Sequence, residues 1–328
     1  MPRLSHRSYL NKMLLSADNA WGLILAGGDG KRLREFVRLR FNSERPKQFC
    51  AFHGTRSMLA NTIARVRSRI ERDRLFVTIR SGQRLYAVDQ LEDVPDENVV
   101  EQPMNKETGP AILLGLLHVY EHDPEGIVAI FPADHFIREN VQFMAHVDSA
   151  VRYLQSSESD VVLIGAEAQY PETDYGWIEI SGGVPSERNI EAYRIYRFWE
   201  KPSFERACML TTVRAFWNTM VVVGKVKNLL GKFKRMSPWL FEAFTPLANG
   251  LGLACEKDLA CRIFSSIRPV NFSAEILAPE VDDLVVIPAR GVYWNDWGRA
   301  ERIEMDISNL IGERETIATC QKNLLHRV

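Results

Sequence analysis

Residues 27–32 read Gly-Gly-Asp-Gly-Lys-Arg and directly follow a short apolar run at residues 21–26. Glycines let backbone N–H groups approach phosphate oxygens closely, and cations neutralise the phosphate charge. The basic character continues along the chain at Arg34, Arg38, Arg40, Arg45 and Lys47. We therefore predict that this segment binds a polyphosphate, with a plain glycine turn beside a solvated charged face as the alternative.

Two well-known phosphate-binding loops do not match the segment. A dinucleotide fingerprint needs a glycine three positions after Gly30, where Leu33 stands. A Walker loop needs Ser or Thr after Gly30 and Lys31, but Arg32 stands there, and Leu25 occupies its first glycine position. Both of these loops are excluded.

Two aspartates follow predicted strands that lie far apart in the chain. Asp134 comes after the apolar run 127–131, and ligands bind at the carboxyl ends of strands in open α/β sheets. Asp296 stands between Trp294 and Trp297, which predicts a poorly hydrated position. Each is a candidate ligand-binding carboxylate, with a turn or helix-capping aspartate as the alternative.

Two lysines stand next to prolines. Lys47 follows Pro46, and Lys201 precedes Pro202. Proline restrains the neighbouring backbone, so each ammonium group is expected to have a defined direction. Exposed surface lysines are the alternative for both.

The elements between these groups must position them. Apolar runs predict strands at residues 21–26, 75–79, 127–131 and 161–165, and helical spacing predicts helices at 59–70, 141–154 and 108–120, the last capped by Thr108. This alternation indicates an α/β fold with a mixed, mainly parallel sheet and helices on both faces.

The pattern changes after about residue 170. Shorter, more aromatic strands are predicted at 177–180, 193–199 and 217–223, with further candidates at 285–288 and 292–294. We interpret residues 1–20 as an N-terminal extension and 21–328 as a single domain. Its expected parts are a first half at about 21–168, a second half at about 169–300 and a closing helix at about 299–328.

Composition limits the possible partners. The formal net charge of −1 gives no global reason to expect nucleic acid or an anionic membrane. The five cysteines form no Cys-x-x-Cys pair, so neither a disulfide framework nor a zinc site is indicated, and a reducing cytoplasm is predicted. No apolar run approaches the roughly 18 to 20 residues that span a bilayer. A homo-oligomer is compatible with these observations.

Motifs distributed along the chain occur in the order typical of one enzyme family. After the glycine-rich segment come Pro-Lys-Gln-Phe at 46–49, Gln-Pro at 102–103, Thr-Gly-Pro-Ala-Ile at 108–112, Pro-Ala-Asp-His at 132–135, Pro-Glu-Thr-Asp-Tyr-Gly at 171–176, Glu-Lys-Pro at 200–202, Trp-Asn at 217–218 and Trp-Asn-Asp-Trp-Gly at 294–298. Together they resemble the sugar-phosphate nucleotidyltransferases, and the Pro-Lys-Gln-Phe form is most similar to the mannose-1-phosphate guanylyltransferases. The resemblance covers residues 21 to about 300.

The resemblance implies a Rossmann-like nucleotidyltransferase fold and transfer of a nucleotidyl group from an NTP to a sugar 1-phosphate, with GTP and mannose 1-phosphate favoured. It implies catalytic roles for Arg32, Lys47, Asp134, Lys201 and Asp296. It implies nucleotide binding by Leu25, Ala26, Gly27, Gly28, Gly30, Lys31, Gln102, Thr108 and Pro110. It implies sugar-phosphate binding by Tyr175, Gly176, Glu200, Asn218 and Glu275.

The resemblance also implies that Asp134 and Asp296 bind Mg²⁺. Oxygen ligands suit this hard cation, and two carboxylates brought together without a cation would repel each other. By the same resemblance, Lys47 faces the triphosphate, and Lys201 with Glu200 lies near the sugar phosphate. His135 is interpreted as a neighbour of Asp134 and not as a catalytic base.

Some positions depart from the family pattern, and most of them surround the base or the sugar. They are Lys31 for Thr, Arg34-Glu35 for Trp-Pro, Glu107 for Asn, Met220 for Gly and Glu275 for Asp. Another hexose 1-phosphate or NTP is therefore an alternative. A non-catalytic regulatory homologue is a second alternative, against which the retention of both aspartates argues. A glycosyltransferase is a third, but the sequence contains no Asp-x-Asp motif.

Overall fold

The computed structural model describes residues 20–157, 159–186 and 189–325. The strands are β1 Ala20–Leu25, β2 Leu75–Arg80, β3 Val99–Gln102, β4 Ile127–Pro132, β5 Phe136–Ile137, β6 Val161–Glu167, β7 Gly176–Gly183, β8 Tyr193–Glu200, β9 Ala215–Lys225, β10 Leu284–Pro288 and β11 Trp294–Asn295. The helices are α1 Arg34–Phe41, α2 Met58–Arg67, α3 Arg84–Ala87, α4 Thr108–His122, α5 Asn140–Ser156, α6 Phe204–Thr212, α7 Val226–Met236, α8 Pro238–Ala248, α9 Glu256–Ser266 and α10 Ala300–Leu325. The predicted extension at residues 1–20 lies outside the described residues except for Ala20.

One nine-stranded sheet organises the fold, in the order β3-β2-β1-β4-β9-β6-β10-β8-β7. Strands β1 to β4 pair in parallel, and so do β6 and β10. Strand β9 lies antiparallel between β4 and β6, and β8 lies antiparallel between β10 and β7. Only β8 and β9 run opposite to β1, which confirms the predicted mixed, mainly parallel sheet.

Helices cover both faces of this sheet, as the sequence predicts. In β1, Ile24 packs into the core beneath α2 and α5, whereas the preceding Leu23 packs into the opposite core beneath α4, α7, α8 and α9. Both residues are completely buried. Strands buried on two faces are apolar at consecutive positions, which explains why these runs are continuous in the sequence.

The two predicted halves interleave within the sheet. Strand β6, from the first half, lies between β9 and β10 of the second half. A small additional sheet pairs β5 with β11. Among the described residues, no helix is long and apolar enough to cross a membrane. Because strands of both halves belong to one sheet, we propose to treat residues 21–328 as one folding unit.

Two local predictions are wrong in detail. Thr108 does not cap α4, since Glu107 occupies the capping position without a side-chain bond. The Thr108 hydroxyl instead accepts a hydrogen bond of 2.9 Å from the backbone N–H of Phe272. The strand predicted at residues 292–294 comprises only Trp294–Asn295. Both differences reflect contacts with chain segments that are distant in sequence.

A buried ion-pair cluster fastens α7 to the segment that precedes β10. Lys232 has no exposed surface, and its Nζ donates to the carboxylates of Glu280 and Asp283 at 2.9 Å each. Arg235 donates to the same Glu280 carboxylate at 2.7 Å. Hydrogen bonds from Arg235 and Lys232 lower the pKa of Glu280 to about 2. Lys232 therefore carries a charge that is compensated within the fold.

We expect Lys232→Met to lower the free energy of unfolding by about 2 kcal/mol, because two carboxylates lose a charged donor. Urea denaturation with an unchanged m-value measures this difference. The matched control is Lys227→Met on the same helix, whose exposed pair with Glu125 contributes at most about 0.5 kcal/mol. Equal losses in the two variants would contradict the role assigned to Lys232.

Candidate functional site

A cleft of about 470 Å³ lies where the carboxyl ends of β1 and β4 meet. This is the position at which open α/β sheets place ligands. The described residues that line it are Asp29, Gly30, Lys31, Arg32, Leu33, Lys47, Asn105, Glu107, Asp134, His135, Asp296 and Gly298. The structure thus brings the glycine-rich loop and both candidate aspartates to one cleft.

Close packing explains two glycines of the loop, against backbone at Gly30 and against the Gln102 side chain at Gly27. Gly30 has a φ of 62°, in the left-handed region, and a Cβ there would lie 3.1 Å from the backbone N of Lys47. A Cβ on Gly27 would lie 2.2 Å from Nε2 of Gln102. Glycine tolerates both conditions because it has no side chain. Gly28 has open space around it.

Buried amide side chains hold the carbonyl groups of this loop. Gln48 donates to the carbonyls of Ala26 at 2.9 Å and Gly28 at 2.8 Å, and Gln83 donates to Gly28 at 3.1 Å. Among the described residues, none accepts a hydrogen bond from the backbone N–H of Gly28 or Gly30. The loop therefore offers donors to a ligand while its acceptors are occupied.

The short pairing of β5 with β11 joins the two aspartate segments. Phe136 lies opposite Asn295, and Ile137 lies opposite Trp294, in an antiparallel register. Asp134 and Asp296 flank this two-residue pairing on the same side, so both carboxylates line the cleft. Local sequence pattern contains no signal for such a short contact between distant segments.

Lys47 lies at the centre of this arrangement. Its side chain is 9% exposed, and its Nζ lies 3.0 Å from Oδ2 of Asp134. The same Nζ donates to the backbone carbonyls of Asp296 at 2.7 Å and Trp297 at 3.2 Å. Lys47 also lines the cleft, so its contact with a triphosphate stays a prediction, and in the structure its acceptors belong to the protein.

Each aspartate already has a cation of its own, which corrects the premise that the pair is uncompensated. Arg302 donates to Oδ1 of Asp296 at 3.0 Å. Burial would raise the pKa of Asp134, but the charge of Lys47, together with His135, outweighs burial and lowers it. The Asp134 carboxylate is therefore held as an anion.

His135 is buried against Asp134 and serves as a hydrogen-bond partner in the protein. Its Nδ1 accepts a hydrogen bond of 3.3 Å from the indole of Trp294, and its Nε2 lies 3.8 Å from Asp134. Burial lowers the pKa of His135, and the nearby Lys47 charge adds to this effect. The neutral imidazole matches the packing role that the sequence predicts.

Arg302 and Asp306, at the start of α10, are site residues that sequence reasoning missed. Arg302 spans Asp296, Asp174 at 3.0 Å and Glu172 at 2.7 Å. Asp306 accepts a hydrogen bond of 2.7 Å from the indole of Trp297. A single arginine or aspartate on a helix carries no local signal for such a role.

Gln83 and the partners of Asp29 were also missed. Gln83 is completely buried beneath the glycine loop. Asp29 lies 3.1 Å from the guanidinium of Arg80 and accepts a hydrogen bond of 3.2 Å from Asn105. These contacts join the loop to the ends of β2 and β3. In the sequence, only the position of Arg80, Gln83 and Asn105 near the ends of strands could have indicated that they belong to the site.

The remaining predicted nucleotide residues differ in accessibility. Ala26 and Pro110 are buried, and both backbone polar groups of Ala26 bond within the protein. Leu25 is partly buried. Lys31 is 84% exposed, and its Nζ lies 3.7 Å from Oδ2 of Asp29. None of the described carboxylates pairs with Arg32. The cations available to a ligand are therefore Lys31 and Arg32.

Three of the predicted sugar-phosphate residues meet at strands β7 to β9. A Cβ on Gly176 would lie 3.1 Å from Glu200 and 3.4 Å from Asn218. Asn218 donates to the Ser273 hydroxyl at 3.2 Å, next to the Phe272 backbone that bonds to Thr108. Residues 272–273 thus connect the two segments that are predicted to bind substrates.

Lys201 adjoins this group on the chain. It has a φ of 45°, an uncommon conformation for a residue with a side chain, and its Nζ lies 3.7 Å from Glu200. The side chain is 49% exposed. Its ammonium group is therefore accessible to a ligand.

Two other sugar-phosphate predictions need correction. Tyr175 is 3% exposed, donates to Asn295 at 3.0 Å and lies beneath Arg302, so it packs inside the protein. Glu275 accepts from the backbone N–H of Asn271 at 3.0 Å and pairs with Arg268 at 2.8 Å. Its carboxylate therefore caps a helical turn.

The donor set fits a magnesium ion that is completed by substrate. No third acidic, histidine or cysteine ligand joins the aspartates in the part of the chain that the structure describes. In those same ranges, Oδ1 of Asp134 and Oδ2 of Asp296 accept no hydrogen bond from another residue. Mg²⁺ commonly binds one or two carboxylates together with substrate phosphates.

Comparisons with known proteins show the family of this chain. Residues 21–310 match the family model described as nucleotidyl transferase. A mannose-1-phosphate guanylyltransferase of Escherichia coli strain K12 is 29% identical over 87% of this chain and 59% of that protein. Another from Escherichia coli is 30% identical over 69% of this chain and 47% of that protein. The chain thus spans about half the length of these curated relatives.

A solved structure shares the fold. A Thermus thermophilus protein, described as a mannose-1-phosphate geranyltransferase, superposes with a TM-score of 0.72 and 24% identity. The superposition covers 87% of this chain and 79% of that chain. From the match over residues 21–310, the chain belongs to the nucleotidyl transferase family.

Proposed function

We propose that the chain transfers a nucleotidyl group from an NTP to a sugar 1-phosphate and releases pyrophosphate. Our preferred substrates are GTP and mannose 1-phosphate, and the product is then GDP-mannose. The observation that carries this proposal is the single cleft lined by the glycine loop, Arg32, Asp134 and Asp296. The names of the similar Escherichia coli proteins support the choice of substrates. We place the activity in the cytoplasm, because the cysteines are scattered.

The proposed triphosphate site combines backbone donors with accessible cations. The N–H groups of Gly28 and Gly30 bind phosphate oxygens, and Lys31 and Arg32 neutralise their charge. The nucleoside extends along Gln102 and Thr108. Lys47 acts mainly by holding both aspartate segments, so its effect on the phosphates is one of positioning.

Asp134 and Asp296 would hold Mg²⁺, which neutralises phosphate charge and orients the reacting groups. Each aspartate keeps one carboxylate oxygen for this purpose, while Lys47 and Arg302 engage the others. Gly176, Glu200 and Asn218 would bind the sugar, and Lys201 its phosphate. These assignments leave Tyr175 and Glu275 with structural roles.

The reaction needs no general base. A phosphate oxygen of the sugar 1-phosphate is already ionised at neutral pH, since the second phosphate pKa is about 6. This oxygen bonds to the α-phosphorus while the bond to the bridging oxygen of the β-phosphate breaks, and pyrophosphate leaves with the electron pair. The task of the protein is alignment and charge stabilisation. The neutral His135 is consistent with this scheme.

Pyrophosphate release from a panel of four NTPs and the 1-phosphates of mannose, glucose, galactose and N-acetylglucosamine tests the proposal. We expect the highest kcat/KM with GTP and mannose 1-phosphate in the presence of magnesium. Preference for another pair would transfer the assignment to that substrate. Absence of turnover with every pair would instead favour a non-catalytic regulatory homologue.

Asp134→Asn and Asp296→Asn should each lower kcat/KM by about a hundredfold, because the amide keeps the shape but loses the charge that holds the ion. Steady-state kinetics at varied magnesium concentration measures the loss. Glu172→Gln is the matched control, since Glu172 shares Arg302 with Asp296 but does not line the cleft. Near-normal magnesium-dependent turnover in either aspartate variant would refute the metal assignment.

Lys47→Met should lower both activity and stability. Loss of the ammonium leaves Asp134 and two carbonyls without their donor, which costs about 2 kcal/mol of unfolding free energy. Activity should fall about a hundredfold. Lys31→Met is the control, because this exposed cleft lysine should affect stability by less than about 0.5 kcal/mol. Wild-type thermal stability of Lys47→Met would show that the side chain does not hold these segments together.

Lys201→Ala should raise the KM for the sugar 1-phosphate much more than the KM for the NTP, because the ammonium is assigned to one substrate only. Kinetics with each substrate varied in turn, together with calorimetric titration of each substrate, separates the two effects. Lys257→Ala, an exposed lysine on α9, is the control. Equal losses for both substrates would count against the assignment.

A further inference from the structure

A second cleft, of about 450 Å³, is lined by described residues from the loop before α2, from α2 itself and from the β5 region. Its volume is within the range of small-molecule sites. Its polar lining comprises His53, Thr55, Arg56, Asn61, Arg65, His135, Arg138 and Asn140. Among the described residues, only His135 lines both this cleft and the proposed substrate cleft. The second cleft is therefore a separate cavity.

The charge of this lining has one sign. It includes three arginines, and none of the described lining residues is an aspartate or glutamate. Arg138 pairs with the neighbouring Glu139 at 2.8 Å. For Arg56 and Arg65, by contrast, no carboxylate of the described chain lies within ion-pair distance. The cleft thus carries positive charge that the described residues do not balance.

Arg65 is the unusual member of this set. It is 6% exposed, yet its guanidinium bonds only to neutral groups, Asn140 at 3.0 Å and Thr62 at 2.9 Å. Its buried Nε has no hydrogen-bond partner among the described residues. Burial lowers the pKa of Arg65 to about 10. A buried cation without an anion is costly, and charged residues in protein interiors are normally paired.

We propose that this second cleft binds the phosphate group of a small phosphorylated metabolite. Arg65 supplies a guanidinium fixed by Asn140 and Thr62, and planar guanidinium donors match phosphate oxygens well. Arg56 adds an exposed charge at the opening, and Asn61 adds an amide donor. The bound phosphate compensates the buried charge of Arg65.

The location of the site connects it with the substrate cleft. His135 follows Asp134 in the chain, and Trp297, which also lines the second cleft, follows Asp296. The ring of Trp297 stacks on Phe136 at 4.6 Å between centroids. A phosphate bound in the second cleft would therefore lie next to both aspartate segments, but it would not contact the carboxylates of Asp134 and Asp296.

Equilibrium dialysis of the full chain with radiolabelled orthophosphate tests the proposal. We expect Arg56→Glu to weaken phosphate binding at least about tenfold, since an exposed charge reversal disturbs the ligand and not the core. The matched control is Arg262→Glu, an exposed arginine on α9, which should bind as the wild type does. Equal affinity in both variants, or no binding by the wild type, would overturn the proposal.

Arg65→Met tests the buried cation directly and should abolish phosphate binding in the second cleft if circular dichroism shows a folded protein. If this variant does not fold, Arg56→Glu alone decides. Parallel titrations with a hexose phosphate and a nucleoside monophosphate distinguish the sources of the phosphate, and tighter binding of either one identifies the class. Crystals soaked in tungstate should show an anomalous peak beside Arg65. A peak in the substrate cleft alone would refute the site.

Discussion

The ammonium group of Lys47 is the interaction on which the candidate site depends. It joins Asp134, the backbone of Asp296 and the backbone of Trp297, and the last of these contacts is separated by 250 residues in the chain. Because a buried ammonium is costly unless every donor is used, these acceptors must stay in place. The backbone N of Lys47 also packs closely against Gly30. A single residue, through its backbone and its side chain, thereby fixes the positions of the glycine loop and both aspartates relative to one another.

Strained backbone accompanies this arrangement. Glu107, Lys201, Met220 and Trp297 all have positive φ values, between 45° and 65°. Such conformations cost about 1 to 3 kcal/mol each and persist only where surrounding contacts hold them. Trp297 is held by its indole bond to Asp306. Met220, which departs from the family pattern, places its sulfur 2.9 Å from the Ser273 hydroxyl. These four residues lie in or beside the segments assigned to the substrates and the metal, whereas Asn42 and Asn189, which also have positive φ, lie elsewhere.

The charges of the site are organised in pairs that leave ligand-binding atoms exposed. Asp134 is paired with Lys47, and Asp296 with Arg302, yet each aspartate keeps one oxygen that accepts no hydrogen bond from another described residue, Oδ1 of Asp134 having only His135 Nε2 at 3.8 Å. Hydrogen bonds from Arg302 and Lys47 hold each carboxylate in one orientation. The same principle distinguishes the second cleft, where the charge of Arg65 lacks such a partner. The two aspartates of the first cleft thus have cationic partners in the protein, whereas Arg65 in the second cleft has no anionic partner among the described residues.

The sequence alone determined the order of most strands and helices, the α/β class and the glycine loop, because burial periodicity and turn chemistry are local properties. It also located Asp134 at a strand end. Only the tertiary structure decided which groups meet: the pairing of β5 with β11, the contacts of Lys47 and the cation supplied by Arg302. The tertiary structure also decided that Tyr175 bonds to Asn295 and that Glu275 pairs with Arg268. The physical reason is that the partners of a side chain depend on how segments distant in the sequence pack together. The local residue pattern carries no information about which distant segments become neighbours.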